Sequence, residues 1–167
     1  MEIDVDGLTF TFPDTWQITK YDDWAFYRKH FLKIRSGIKS VDLIVLDDDQ
    51  TVRLVEVKDY RQQQRQKQIE LAEEMVQKVL DTLAAMLPAK VNASNQEEKD
   101  FAQKVVKNKN IRVVLHLDQP GRQSRLFPRK FDLSREQLKL RTKLKAIDPH
   151  PKVVESSNMQ NLVWTVK

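Results

Sequence analysis

In this 167-residue chain Asp42, Glu56 and Lys58 bring two carboxylates and an ammonium into a short stretch of sequence. They lie in two apolar, β-branched segments, Val41–Leu46 and Val52–Tyr60, joined by Asp47-Asp48-Asp49-Gln50-Thr51, which reads as strand, turn and strand. Side chains alternate across a strand, so Glu56 and Lys58 point the same way. A turn centred on Asp49 places Asp42 opposite Glu56, with directly facing Cβ atoms roughly 4.5–5.5 Å apart. Facing carboxylates repel unless positive charge lies between them. Lys58 supplies one such charge, and a hard divalent cation would supply more. Mg²⁺ takes oxygen ligands, commonly one or two carboxylates plus phosphate oxygens, and the Val57 carbonyl could add a third protein oxygen. Such an ion acidifies bound water and neutralises a scissile phosphate. Lys58 then suits orientation and charge stabilisation better than proton abstraction, because two nearby carboxylates oppose the depressed pKa a base needs.

The pattern D-x13-E-x-K, with Ser36-Gly37 ahead of the Asp42 strand, resembles the PD-(D/E)xK nuclease superfamily, whose members include restriction endonucleases and Holliday-junction resolvases. The resemblance implies a restriction-endonuclease-like core, Mg²⁺ or Mn²⁺ held by Asp42 and Glu56, and Lys58 assisting the attacking water. It also suggests an accessory acid from the first helix, Asp22 or Asp23, and a glutamine after the motif, Gln64 or Gln68. Val41 stands where many members carry proline. The expected function is metal-dependent phosphodiester hydrolysis by a DNA endonuclease. The alternative is a catalytically silent module that keeps the fold to bind nucleic acid or protein.

Periodic patterns mark the strands and helices around these residues. Ile3, Val5, Leu8, Phe10 and Phe12 around Asp6-Gly7 predict a hairpin, and Tyr21, Trp24, Tyr27 and Phe31 predict a helix. A stripe from Ile69 through Met75, Val79, Leu80, Leu83, Met86 and Leu87 predicts a long amphipathic helix halted by Pro88. Ser94-Asn95-Gln96-Glu97 and Ser134-Arg135-Glu136-Gln137 read as capping boxes opening two further helices, the second with a Leu133–Leu138 staple. Ile111–Leu117 is a third core strand, and Val153-Val154 and Leu162–Val166 suit late strands. The fold class expected is α/β, one domain over 1–167 with a mixed central sheet flanked by helices. Its core spans about 21–117, and a basic extension covers about 121–167.

Composition bounds the rest. The absence of cysteine excludes disulfides, thiolate metal sites and a cysteine nucleophile. Three glycines and no G-x-x-x-x-G-K-[ST] run argue against a nucleotide-cradling loop. No apolar run is long enough for a membrane span, so no membrane partner and a cytoplasmic location are expected. The net charge is +5, but Gly121–Ile147 holds nine Lys or Arg against two acids, a local +7. That block suggests a polyanion partner, DNA on the nuclease reading. The expected contacts are Arg61, Arg65, Arg122, Arg125, Arg129, Lys130, Lys139 and Lys143, with Phe127 or Phe131 available for base stacking. A homodimer or a targeting partner is a further expectation. His116 and the three tryptophans read as core residues.

Overall fold

In the computed structural model the description covers residues 1–62, 65–121 and 129–167. One α/β domain is built in three layers. The central layer is a mixed five-stranded sheet in the order β3-β4-β5-β6-β7: Gln17–Lys20, Leu43–Leu46, Thr51–Asp59, Asn110–Asp118 and Lys152–Val154. The β3/β4 and β4/β5 pairs are antiparallel, whereas β5/β6 and β6/β7 are parallel. Long crossovers must join parallel neighbours, and the helices supply them. Helices α2 (Leu71–Asn92) and α3 (Gln96–Lys107) link β5 to β6, and α4 (Leu133–Leu144) links β6 to β7. Residues 133–154, in the region expected to be a basic extension, therefore supply a crossover helix and a strand of the sheet.

Both faces of the sheet are covered, which is why β4 is apolar and buried at every position. Ile44, Leu54, Leu115 and Val153 face the helices. Leu43, Val45, Val55, Val57 and Val114 face a small sheet of β1 (Glu2–Val5), β2 (Leu8–Thr11) and β8 (Thr165–Val166). Trp16 and Trp164 lie in that second core, and Arg53 spans both rings at 5.6 and 5.9 Å. The β1–β2 turn has Asp6 and Gly7 at φ 51° and 80°, the left-handed pair a two-residue hairpin needs.

Several boundaries depart from expectation. The first helix is split: α1 covers only Ala25–Lys29, between two 3₁₀ turns at Tyr21–Asp23 and Phe31–Lys33. Helix α2 runs through Pro88 for four more residues, losing one i→i−4 hydrogen bond while its buried face stays packed. The two shorter helices are capped one and two residues away from the positions the capping boxes imply. Asn95 accepts from the Glu97 and Glu98 amides, and Asp132 accepts from those of Ser134 and Arg135. Glu98 instead reaches across the fold to accept from the Ala25 and Phe26 amides at 2.6 and 3.0 Å, capping α1. Leu138 is exposed and makes no staple. Replacing Asn95 with alanine is expected to lower stability by about 1 kcal/mol in urea denaturation, the usual cost of a lost N-cap.

Candidate functional site

The β4/β5 register fixes the site. Leu43 pairs with Val55 and Leu46 with Val52, so partners sum to 98 and the turn is centred as the sequence suggests. Continuing one step brings Asp42 to Glu56. Asp42 lies just outside β4, and its Oδ2 accepts from the Val57 amide at 2.7 Å. On β5, Leu54 faces the helices, so Glu56 and Lys58 do as well. Glu56 forms an ion pair with Lys58, whose ammonium also donates to the Val57 carbonyl at 3.0 Å. The expected convergence of Asp42, Glu56 and Lys58 is therefore present.

Sequence reasoning missed the group that sits between the carboxylates. Lys78, from α2, places Nζ 2.5 Å from Glu56 Oε1 and 3.7 Å from Asp42 Oδ1. Its signal was its phase. Leu71, Met75, Lys78, Thr82, Ala85 and Ala89 recur every three or four residues, which puts one lysine on the core face of the helix. Beside it, buried Glu74 gathers Arg65 at 2.6 Å, Lys67, and Lys39 at 3.9 Å. A hollow of about 270 Å³ opens over both clusters, lined by Asp22, Lys39, Ser40, Asp42, Lys67, Glu74 and Lys78 among others.

The electrostatics follow from burial and neighbours. Desolvation, and then the Asp42 charge, push the Glu56 carboxyl up to about 7, against the pull of Lys58 and Lys78. Burial opposes the Lys58 ammonium, but Glu56 and Asp42 outweigh it and hold its pKa above the ordinary value. Lys58 thus stays protonated, in keeping with charge stabilisation and not with a base. Burial also opposes the Glu74 carboxylate, yet hydrogen bonds from Lys67 and Arg65 bring it down to about 2. The Mg²⁺ expectation fits this arrangement poorly. Among the described residues no group of three or more His, Cys, Asp or Glu is placed to hold a metal ion. The oxygens that would take the ion already face Lys78 and Lys58.

The accessory and nucleic-acid-binding candidates are dispersed. Asp22 reaches the hollow, where burial first and then Asp23 and Asp42 raise its pKa, whereas Asp23 pairs with Arg28. Gln68 is exposed, and Gln64 lies outside the described residues, as do Arg122, Arg125 and Phe127. Arg61 forks onto Asp59, Arg65 is buried on Glu74, and Arg129 meets Glu155 at 2.8 Å. Lys139 lies between Glu70 and Glu136 at 2.5 and 2.8 Å, and Lys143 pairs with Glu73. Lys130 stays exposed, and Phe131 stacks on Tyr60 with centroids 5.8 Å apart and packs on the core. Arg65, Arg129, Lys139 and Lys143 are bound to acids within the fold, so these four do not form a free basic surface.

Besides Lys130, the described cations of the basic block without an ion-pair partner lie on and at the end of α4. Arg135, Arg141 and Lys145, at the end of the helix, are exposed and have no ion-pair partner among the described residues. At 3.6 residues per turn they share one arc of about 120°, opposite Leu140 and Leu144 in the core. His116 is buried as expected, against Phe10, with Nε2 3.4 Å from Asp118 and from the Ser156 hydroxyl. Ser156 donates to Asp118 Oδ2 at 2.5 Å, and both groups meet the same ring nitrogen, so this trio lacks the relay order of a hydrolase triad.

Comparison with known proteins redirects the functional reading. No family model matches the chain, and no solved structure matches it. A cysteine–tRNA ligase of Neisseria meningitidis is 31% identical across 76% of this chain. The matched region is 22% of that protein, so the chain spans about a fifth of the length of this relative. The expected DNA endonuclease is thereby corrected. The relative is named for joining cysteine to tRNA and not for cutting nucleic acid, and no metal-holding cluster appears among the described residues. Among the same residues no helix is long and apolar enough to cross a membrane.

Proposed function

We propose that this domain is an RNA-binding module that serves an enzyme handling tRNA, and that the outer face of α4 grips the RNA backbone. The observation that carries the proposal is the exposed arc of Arg135, Arg141 and Lys145, none of which is in an ion pair among the described residues, although Arg135 lies near enough to Glu70 to add to Lys139 in lowering its pKa. Ten residues of helix separate its ends by about 15 Å, a reach that covers more than one backbone phosphate. Lys139 and Lys143 brace the same helix on Glu70 and Glu73, so the arc is presented on a rigid support. Likeness to part of a tRNA ligase favours RNA over DNA as the polyanion. Kinship with the PD-(D/E)xK core is also proposed, on the support of the Asp42, Glu56 and Lys58 convergence. Here Lys78 is read as supplying the counter-charge that the superfamily takes from a metal ion.

Fluorescence anisotropy with a labelled tRNA, with and without magnesium, tests the proposal. Binding that weakens as salt rises and survives EDTA is expected, because the contacts are to phosphates through side chains. Absence of binding at low salt would overturn it.

A further inference from the structure

Independently of the RNA reading, the fold leaves a groove where two sheet edges meet. Strands β1 and β3 are edge strands of the small and the large sheet, and among the described residues each pairs on one side only. Ile3 of β1 and Ile18, Thr19 and Lys20 of β3 line one hollow of about 470 Å³, together with Trp24 and, from α3, Phe101. Side chains alternate along a strand, so three consecutive residues reach the same hollow only if it runs along the edge of the strand. The hollow therefore opens onto the main-chain N–H and C=O groups that β3 does not give to β4. Its walls are fixed in place. Trp24 Nε1 donates to the Thr19 hydroxyl at 2.6 Å, and Glu98 of α3 accepts from the Ala25 and Phe26 amides.

We propose that this groove takes an extended peptide segment of another protein, bearing lysine or arginine, which adds a strand to β3. Three features select that occupant. The open strand edge calls for an extended main chain, which supplies matching hydrogen bonds. Ile3, Ile18, Trp24 and Phe101 offer an apolar floor to its alternate side chains. The rim, finally, has the opposite sign to the chain as a whole. The net charge of the chain is +5, yet Asp23, Glu97 and Glu98 outnumber Lys20 at the groove. Asp23 pairs with Arg28 and Glu98 caps α1, whereas Glu97 is exposed with no ion-pair partner among the described residues. Glu97 is thus the carboxylate left for a cation of the peptide, and the same rim disfavours a phosphate backbone.

An acetylated hexapeptide alternating lysine and valine, titrated into the ¹⁵N-labelled protein, tests the proposal. Saturable shifts of the Ile18, Thr19 and Lys20 amides and of the Trp24 indole N–H are expected. The same peptide N-methylated at every amide cannot donate to a strand and should leave these signals in place, as should a counterpart alternating glutamate and valine. Glu97→Lys, at an exposed position, should weaken binding of the lysine peptide about tenfold, the loss expected from one charge-assisted hydrogen bond, with thermal unfolding near wild type. Silence of those signals at roughly millimolar lysine peptide, equal shifts with the N-methylated or the glutamate peptide, or undiminished binding by the Glu97→Lys variant would overturn it.

Discussion

Lys78→Met is expected to destabilise the protein by about 3 kcal/mol at pH 8 and by far less at pH 5.5. The lysine ammonium stands between two carboxylates, and removing one member of a buried ion cluster leaves the others desolvated and uncompensated. Lys58 still neutralises part of the charge on Glu56, which holds the cost to the lower end of the usual range. The pH dependence follows from Glu56, whose neighbours Asp42, Lys58 and Lys78 set its charge. Its folded pKa of about 7 lies above the ordinary 4.5, so wild-type folding binds a proton between those values. The Glu56 contribution to stability is then complete below pH 4.5 and lost as pH rises through 7. At pH 5.5 the carboxyl is already neutral, and Lys78 has little to compensate. Glu56→Gln/Lys78→Met should recover most of the loss at pH 8. Urea denaturation at the two pH values reads all three proteins, and an equal cost for Lys78→Met at both would remove Glu56 from the explanation. Glu74 runs the other way. With its pKa near 2 it contributes stability above pH 4.5 that is lost as pH falls toward 2.

Reversing the α4 arc, Arg135→Glu/Arg141→Glu/Lys145→Glu, is expected to weaken tRNA binding by at least about 100-fold at moderate salt. Charge-assisted hydrogen bonds contribute about 1.5–3 kcal/mol each, and three introduced carboxylates add repulsion. All three side chains are exposed and outside the core, so stability should change little. Reversing Lys139 and Lys143 instead should lower stability more than reversing the arc, because Lys143 meets Glu73 of α2 and Lys139 meets Glu70 at its N-cap, while buried Leu140 and Leu144 keep the helices packed. Comparing thermal unfolding of the two variants separates binding from bracing. An arc variant that binds tRNA as tightly as wild type would place the RNA elsewhere.

Local patterns carried most of the fold, and long-range neighbours carried what they missed. The hairpin register, the Glu56–Lys58 pairing and the core strands follow from alternation and turn symmetry, which act over a few residues. The late strand expected within Leu162–Val166 is present as Thr165–Val166, but its partner does not follow. Val166 pairs with Phe10 across nearly the whole chain, and nothing local to either residue announces it. The α2 stripe shows the limit of periodicity from another side. Its apolar residues occupy more of the helix than the sheet can cover, so Leu80 and Leu87 fall outside the core while Lys78 falls inside. At the candidate site the carboxylate pair was legible and its counter-ion was not, because Lys78 comes from a helix that follows the motif and meets it only through packing. The basic block misled for a related reason. Lysines that look free in sequence meet Glu70 and Glu73 only after α4 packs on α2.

The proposed site puts RNA along the outer arc of α4. Nuclear magnetic resonance of the ¹⁵N-labelled protein, followed through titration with the same tRNA, reads out where it binds. Signals of Arg135, Arg141 and Lys145 are expected to shift together, while those of Asp42, Glu56 and Lys58 stay in place. Shifts concentrated at the β4/β5 carboxylates with α4 unmoved would contradict it.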